Sequence, residues 1–320
     1  MALFLGVDGG GSKTNFVLLD DTGRIVSETT TASCYYFNDG IELVSRILAT
    51  GISGVTSQAG ITTGQIDQAF FGLPGYGEVS ADIDRLDTIP GEVLGHDRFT
   101  SDNDMVCGWA GSLGARDGIN VISGTGSMTY GEYHGRNHRV GGWSELFGDE
   151  GSGYWIAEQG LNAFSRMSDG RLPRGPLYNI IKTRVGITND LDLIDVVVNQ
   201  WKGLRVNIGD LSKTVVEAAE QGDTVAIQIL INACDELVEI VETTRLQLGF
   251  GNDTVPVSYS GGMFTTAIIR DGFADALTAL PSPYELHEPM FGPGVGGALY
   301  AAKKAGTPLS DAALQRLRTH

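Results

Sequence analysis

Short apolar runs alternate with polar turns at the start of the chain, as they do in β-strands. The runs over 2–8, 14–20 and 24–30 are rich in leucine, valine, isoleucine or threonine, and the polar turn 21–23 separates the last two. Apolar runs of this length between turn residues predict strands, and a short turn ending in glycine predicts a hairpin. We therefore predict an antiparallel meander of three strands.

The pattern then changes to helical spacing and back. Apolar residues at positions 41, 44, 48 and 52 recur every three or four residues, as on one face of a helix. The pattern predicts, in order, a helix over 40–55, strands over 66–73 and 98–103, and a helix over 105–115. Strands that alternate with helices favour a mixed sheet with crossover helices.

The second half repeats this scheme from Ile119 onward. It begins with a strand, a glycine turn, a strand over 128–133 and a third strand near 136–140. The later pattern predicts helices over 151–167, 191–201, 211–220 and 224–248, and then a strand over 255–259. Internal duplication explains the repeat, and it predicts an α/β chain with an N-terminal domain over 1–112 and a C-terminal domain over 113–304.

Two glycine turns follow buried strands and share the pattern Gly-x-Gly-Ser-x-Thr. The first is Asp8-Gly9-Gly10-Gly11-Ser12-Lys13-Thr14, and the second is Gly124-Thr125-Gly126-Ser127-Met128-Thr129. A Walker loop or a dinucleotide fingerprint would have to open a helix, whereas a strand pattern follows here. Either turn alone is compatible with an ordinary hairpin. The matched pair favours two backbone cradles for phosphate.

A third glycine turn, Gly261-Gly262, follows the strand over 255–259. Bare backbone between a strand and a helix start lets a flat ring or a phosphate come close, which favours a purine pocket. The alternative is a simple chain turn. The turn over 292–297 opens a helix of small residues, and we expect it to form the other wall of this pocket.

Carboxylates at strand ends are the candidates for chemistry. Asp8 ends the first strand, where its oxygens suit a magnesium ion facing nucleotide phosphates. Asp104 follows the strand over 98–103, where it is positioned to take a proton from an acceptor hydroxyl. Asp102 is the alternative base, and either residue alone is equally compatible with a helix cap or a surface carboxylate.

The segment 141–155 places two tryptophans and two adjacent acids, Asp149 and Glu150, among five glycines. Large rings beside flexible turns are unusual in a core and indicate a shaped loop. An aromatic face with carboxylates suits the hydroxyls of a sugar.

Composition narrows the possible partners. The chain has 320 residues, 42% of them hydrophobic, and a net charge of -17. Such an acidic chain is a poor partner for nucleic acid or anionic membranes. The cysteines Cys34, Cys107 and Cys234 form no Cys-x-x-Cys motif, and the first residues lack the basic start of a signal peptide. A cytoplasmic protein without a membrane span is expected.

Taken together, these motifs resemble the N-acetylglucosamine kinase and BadF-type ATPase family of the actin, Hsp70 and sugar-kinase superfamily. The run from Gly148 to Trp155 is the most specific part of the resemblance, which covers most of the chain. The resemblance implies two ribonuclease-H-like, actin-like ATPase domains with a cleft between them that closes on ATP and a sugar. It also implies a C-terminal helix, at about 305–320, that joins the first domain.

The resemblance assigns roles residue by residue. It implies ATP and Mg²⁺ as cofactors, with Asp8 at the metal and Asp104 as the catalytic base. The implied nucleotide contacts are Asp8, Gly10, Gly11, Ser12, Lys13, Thr14, Gly124, Thr125, Gly126, Ser127, Gly261 and Gly262. The implied sugar contacts are Tyr35, Asp104, Gly126, Trp143, Asp149 and Glu150.

The expected activity is ATP-dependent phosphorylation of an amino sugar such as N-acetylglucosamine or glucosamine, at the C6 hydroxyl, by a homodimer. Tyr35 stands where vertebrate-type family members carry a sugar-binding asparagine, and Met128 also replaces an asparagine. Another hexose derivative is therefore an alternative substrate. The alternatives are an ATPase that activates a radical dehydratase and a non-catalytic sugar sensor. The cysteines show no grouping for the iron-sulfur cluster that the first alternative needs.

Overall fold

The computed structural model describes residues 1–319 and divides the chain into two compact units. The first unit comprises Met1–Asp117 together with the chain from Glu288 onward, and the second comprises Gly118–His287. Each unit contains one five-stranded sheet with helices packed around it.

Ten strands make up the two sheets in the described chain. They are β1 (Leu3–Gly9), β2 (Lys13–Asp20), β3 (Ile25–Ala32), β4 (Gln68–Leu73), β5 (Phe99–Asn103), β6 (Gly118–Ser123), β7 (Ser127–Tyr133), β8 (Arg136–Gly141), β9 (Val255–Ser260) and β10 (Tyr284–His287).

Twelve α-helices connect the strands in the same part of the chain. They are α1 (Glu42–Ala59), α2 (Ile83–Leu94), α3 (Met105–Leu113), α4 (Gly153–Ser168), α5 (Pro176–Val185), α6 (Asp192–Ile194), α7 (Arg205–Gly209), α8 (Ser212–Glu220), α9 (Thr224–Leu248), α10 (Ala267–Thr278), α11 (Pro293–Lys304) and α12 (Asp311–Arg318).

The two sheets have the same topology. The first has the order β3-β2-β1-β4-β5, and the second runs β8-β7-β6-β9-β10 when read in the corresponding direction. In each, an antiparallel meander of three strands is extended by two parallel strands beside its first strand. The duplication predicted from the sequence is thus present at the level of strand order.

Each unit has its own apolar core. In the first, residues such as Leu5, Phe16 and Leu48 are fully buried between the sheet and its helices. In the second, the long helix α9 packs on β6, β7 and β8, and Leu237 and Val241 are fully buried there. Apolar burial on this scale is the main stabilising contribution in both units.

The boundary between the units differs from the expected one. Residues 288–304 were expected in the second domain, but α11 packs on β1, β4 and α3 of the first unit. Its small residues make this possible, since Gly296 lies against the backbone of Cys107 and Gly111. The turn over 292–297 therefore belongs to the first unit, whereas the predicted purine turn at Gly261-Gly262 belongs to the second, and its role as a wall of that pocket stays a prediction. A C-terminal helix at about 305–320 was expected to join the first domain. The structure has the helix α12 in this range, and position 320 lies outside the described residues.

Several elements differ from the sequence pattern. Helix α2 contains Pro90, and α5, α7 and the four-residue β10 have no clear periodic signal. The helix expected over 191–201 is α6 followed by a π-helical segment, Asp195–Gln200. Among residues 1–319 there is no helix with the length and apolar character needed to cross a membrane.

Candidate active site

The first phosphate hairpin joins β1 and β2. Its turn is closed by the Gly10 N–H, which donates to the Lys13 carbonyl at 2.8 Å. Ser12 and Lys13 are exposed, whereas Thr14 is buried and its Oγ1 accepts the N–H of Cys34 at 3.1 Å. The turn thus presents a hydroxyl and an ammonium group to solvent, while Thr14 anchors the hairpin to the protein.

Asp8 and Asp104 are electrostatically coupled within the first unit. Asp8 stands beside Gly72 in the parallel register of β1 and β4. A side chain at Gly72 would place a Cβ 3.1 Å from the Asp104 Cα, so the glycine lets Asp104 come close to this strand pair. Burial and the neighbouring Asp8 carboxylate together raise the pKa of Asp104 to about 7. Burial also raises the pKa of Asp8, against the opposing effect of Asn15 and Lys13.

Asp104 lies directly before α3, but its carboxylate makes no capping hydrogen bond to that helix. Asn103 performs this role instead, because its Oδ1 accepts the N–H of Met105 at 3.2 Å. The rival Asp102 accepts the backbone N–H of Asn103 at 2.7 Å. Asp104 therefore makes no side-chain cap of α3, although the backbone N–H groups of Asp104 and Met105 interact with its carboxylate and lower its pKa against the effect of burial.

The second phosphate hairpin joins β6 and β7 in the second unit. The Gly124 N–H donates to the Gly126 carbonyl at 2.9 Å, and the Gly124 carbonyl accepts the N–H of Gly153 at 2.8 Å. Ser127 Oγ donates to the carbonyl of Glu150 at 2.5 Å. These bonds hold the hairpin to the end of the loop over 141–152 and to the start of α4.

The predicted sugar loop differs in exposure along its length. Trp143 is 69% exposed and Glu150 is also exposed, whereas Asp149 is only 3% exposed. Asp149 adopts a left-handed backbone conformation with φ of 59°, which is uncommon for a residue other than glycine. Its carboxylate forms an ion pair with Arg205. Tyr35, in the first unit, is 38% exposed and contacts Phe37 edge-on.

A cavity of about 820 Å³ lies within the second unit. Gly124, Thr125, Gly262 and Met263 line one side, so the second phosphate hairpin and the predicted purine turn meet there. Gly261 itself packs on the hairpin, since any Cβ at this position would overlap the Ser123 carbonyl. The volume is within the range of small-molecule sites in proteins.

The opposite wall of the cavity was not predicted from the sequence. It is formed by the segment from Trp201 through α7 and α8, including Val206, Asn207, Lys213 and Glu217. The apolar spacing of this segment is that of an ordinary amphipathic helix, so no local signal indicated a binding role. The sequence also contains no signal for the role of Arg205, because its ion-pair partner Asp149 lies 56 residues earlier in the chain.

A metal centre built from several side chains is not present: among the described residues, no three His, Cys, Asp or Glu side chains form such a group. Mg²⁺ commonly takes only one or two carboxylates and completes its shell with water and phosphate oxygens. The Asp8 carboxylate is partly buried, and its burial raises its pKa. It is of the right chemistry for that arrangement.

Comparison with known proteins places the chain in a family. The profile of the BadF/BadG/BcrA/BcrD ATPase family matches residues 5–301. The chain belongs to this family. The family assignment predicted from the motifs is thereby confirmed.

Individual relatives agree with this assignment. An N-acetyl-D-glucosamine kinase of Dictyostelium discoideum is 27% identical over 93% of this chain and 97% of the relative. An N-acetylmuramic acid/N-acetylglucosamine kinase of Clostridium acetobutylicum is 29% identical over 82% of this chain and 86% of the relative. The solved structure of a proposed N-acetylglucosamine kinase from Chromobacterium violaceum superposes with a TM-score of 0.68 at 23% identity, covering 93% of this chain and 98% of that one. The predicted α/β fold with two related domains is confirmed.

Proposed function

We propose that this protein is an ATP-dependent kinase that phosphorylates an amino sugar, N-acetylglucosamine or glucosamine, at the C6 hydroxyl. The observation that carries the proposal is the cavity of about 820 Å³ where the second phosphate hairpin meets the turn after β9. A nucleotide needs one site for its base and one for its phosphates, and both glycine turns contribute backbone to this cavity. The amino-sugar kinases among the relatives support the choice of acceptor.

The nucleotide contacts follow from the two hairpins and the purine turn. We assign the phosphates to Gly124, Thr125, Gly126 and Ser127 and to the exposed turn from Gly10 to Lys13 with Thr14 beneath it. Gly261 and Gly262 would border the adenosine. Phosphoryl transfer needs mainly positioning and charge stabilisation, which backbone N–H groups and Lys13 can supply.

Asp104 is our choice for the base that accepts the proton of the sugar hydroxyl. A general base works best with a pKa near the working pH, and the pKa of Asp104 is raised to about 7. Asp8, at the end of β1, would hold Mg²⁺, which supplies charge neutralisation of the phosphates when bound.

The sugar contacts come from three places in the chain. Asp149 and Glu150 offer carboxylate oxygens to hydroxyl groups, and Trp143 and Tyr35 offer exposed aromatic surface to the apolar face of a pyranose ring. Gly126 packs directly against Asp149, since a Cβ at this position would lie 2.7 Å from Asp149 Oδ2.

The dehydratase-activator alternative is disfavoured by the cysteines. Cys34, Cys107 and Cys234 are buried thiols, and burial raises the pKa of each one. A cluster needs thiolates, which a raised pKa opposes. The homodimer and the cytoplasmic location stay predictions, and sedimentation equilibrium would measure the first.

A coupled ADP-release assay tests the proposal. The acceptors are N-acetylglucosamine, glucosamine, N-acetylmannosamine, N-acetylmuramic acid and plain hexoses, with a reaction lacking any acceptor as the background. We expect ADP release above this background with an amino sugar, and none with its 6-deoxy analogue, which lacks the hydroxyl to be phosphorylated. If no sugar raises ADP release, the kinase assignment is wrong. If the 6-deoxy sugar is phosphorylated, only the C6 assignment is wrong.

A further inference from the structure

Arg205 connects the wall of the nucleotide cavity to the predicted sugar loop. It is the first residue of α7, and the next two residues, Val206 and Asn207, line the cavity. Its Nη2 pairs with the Asp149 carboxylate, and its Nη1 lies 3.4 Å from Glu145 Oε2. One side chain therefore contacts two acids of the loop, Glu145 and Asp149, and it lies 56 residues after Asp149 in the chain.

The ion pair also packs on the second phosphate hairpin. A Cβ at Gly126 would lie 2.7 Å from Asp149 Oδ2 and would overlap the Arg205 guanidinium. The Asp149 side chain is 3% exposed, whereas that of Arg205 is 36% exposed. A carboxylate this deeply buried needs a cation or hydrogen bonds to stay charged.

We infer that Arg205 is a positioning residue for the sugar substrate: its guanidinium, together with the Ser127 N–H, fixes the Asp149 carboxylate beside Gly126 in the orientation in which it accepts a sugar hydroxyl. This inference rests on the proposed function, in which Asp149 binds the sugar. A planar guanidinium suits the role because it holds a carboxylate in a defined orientation, unlike a point charge.

The electrostatics of Asp149 indicate how loss of Arg205 would act. Burial raises the pKa of Asp149, and the nearby acids Glu145 and Glu150 raise it further, whereas Arg205 and the Ser127 N–H lower it. Without the guanidinium the pKa of Asp149 rises again, and the carboxyl group takes up a proton at higher pH. A protonated carboxyl group is a weaker acceptor for a sugar hydroxyl.

The substitution Arg205→Met tests the inference. We expect KM for the sugar to rise about tenfold or more, as for loss of a charge-assisted hydrogen bond. The rise should grow as the pH falls from about 8 to about 6, because the Asp149 pKa is higher in the variant. Arg171→Met is the matched control, since Arg171 pairs with the exposed Asp169 at the end of α4. Its KM should equal the wild-type value at each pH.

A double-mutant cycle separates positioning from loss of structure. If Arg205 acts through Asp149, adding Arg205→Met to Asp149→Asn changes KM for the sugar by less than about twofold. Arg205→Lys keeps the charge and should recover part of the lost affinity, and the melting temperatures show whether each variant is folded. Equal effects of Arg205→Met in both backgrounds would overturn the inference. A lower sugar KM in Arg205→Met would also overturn it, because the arginine would then compete with the sugar.

A readout without catalysis keeps this inference distinct from the kinase proposal. Carbon-13 NMR of the Asp149 carboxyl group reports its pKa directly in the folded protein. We expect a higher pKa in Arg205→Met than in the wild type or in Arg171→Met. If the pKa is unchanged, the inference fails even when the wild type phosphorylates a sugar. If wild-type protein shows no acceptor-dependent ADP release, the kinase proposal fails instead.

Discussion

Asp104 shows how one glycine can set the chemistry of a carboxyl group. Gly72 has no side chain to keep the start of α3 away from β1 and β4, so Asp104 comes within electrostatic range of Asp8. Two carboxylates in a desolvated setting resist ionising together, which raises the pKa of one of them. The sequence identifies Asp104 as a candidate, but its raised pKa results from the packing of the start of α3 against β1 and β4.

At this scale, Asp104→Asn should lower kinase turnover by about two orders of magnitude or more, because the amide cannot accept the hydroxyl proton. Nucleotide affinity, measured by calorimetry, should stay close to wild type, since Asp104 lines no part of the 820 Å³ cavity. Asp102→Asn is the control and should keep most of the activity. Turnover above about a tenth of wild type in Asp104→Asn would remove it from the role of base.

Gly261 carries the second residue-scale prediction. Its backbone has φ of 99° and ψ of 158°, a region essentially restricted to glycine, and any Cβ would overlap the Ser123 carbonyl. We expect Gly261→Ala to lower the free energy of unfolding by about 1–3 kcal/mol and to weaken nucleotide binding. In the matched variant Gly262→Ala, the new methyl group meets open space, so urea denaturation should give the wild-type value. Equal stabilities of the two variants would contradict this account of the turn.

At the scale of elements, the sequence pattern predicted most accurately those segments that have capping residues at both ends. Helix α9 has the bounds that its apolar spacing predicts, and the structure shows that Asp223 caps its first turn and Gly249 ends it in a left-handed conformation. Helix α2 was not predicted, since Pro90 and Gly91 lie inside it and interrupt the usual signals. The strand β10 has only four residues and is defined by pairing with β9.

Asp223 connects two helices, which leads to a prediction about stability. Its Oδ1 accepts the N–H groups of Val225 and Ala226 at the start of α9, and its Oδ2 accepts the buried N–H of Leu177 in α5 at 2.9 Å. Asp223→Ala should therefore lower the free energy of unfolding by about 2–4 kcal/mol, the sum of a lost cap and a buried N–H without a partner. Urea denaturation followed by circular dichroism measures it.

The comparison for this prediction is Ser310→Ala, which removes a cap of α12 whose side chain accepts the N–H of Ala313. Its expected cost is about 1 kcal/mol or less. A similar loss of unfolding free energy in Asp223→Ala and Ser310→Ala would mean that the hydrogen bond between Asp223 and α5 does not stabilise the protein.

On the scale of the whole molecule, the net charge of -17 opposes any anionic ligand. A nucleotide triphosphate must approach against this field and be held by local N–H groups and Lys13. Salt weakens the long-range repulsion, because the Debye length falls from about 30 Å at 0.01 M to about 10 Å at 0.1 M ionic strength. The short-range hydrogen bonds of the hairpins are affected much less.

We therefore expect KM for ATP to fall or stay constant when ionic strength rises tenfold over this range at fixed free Mg²⁺. Adenosine, which carries no phosphate, is the control: its inhibition constant should not change with salt. If KM for ATP increased with salt, attraction by nearby cations would outweigh the repulsion of the whole chain.

The sequence by itself determined the local part of this protein. The two glycine hairpins, the repeated meander, α9 and the candidate residues Asp8, Asp104 and Asp149 depend on contacts within short stretches of chain, and their signals are local. The family was readable for the same reason, because its motifs are short and lie at turns between strands.

Only the tertiary structure decided which of these parts meet. It brought the turn at Gly261 onto the second hairpin, moved α11 into the first unit, and paired Asp149 with Arg205. These contacts join residues far apart in the chain, where many partners of the same type are available. Packing and the burial of charge select among them, and neither is visible until the sheets have formed.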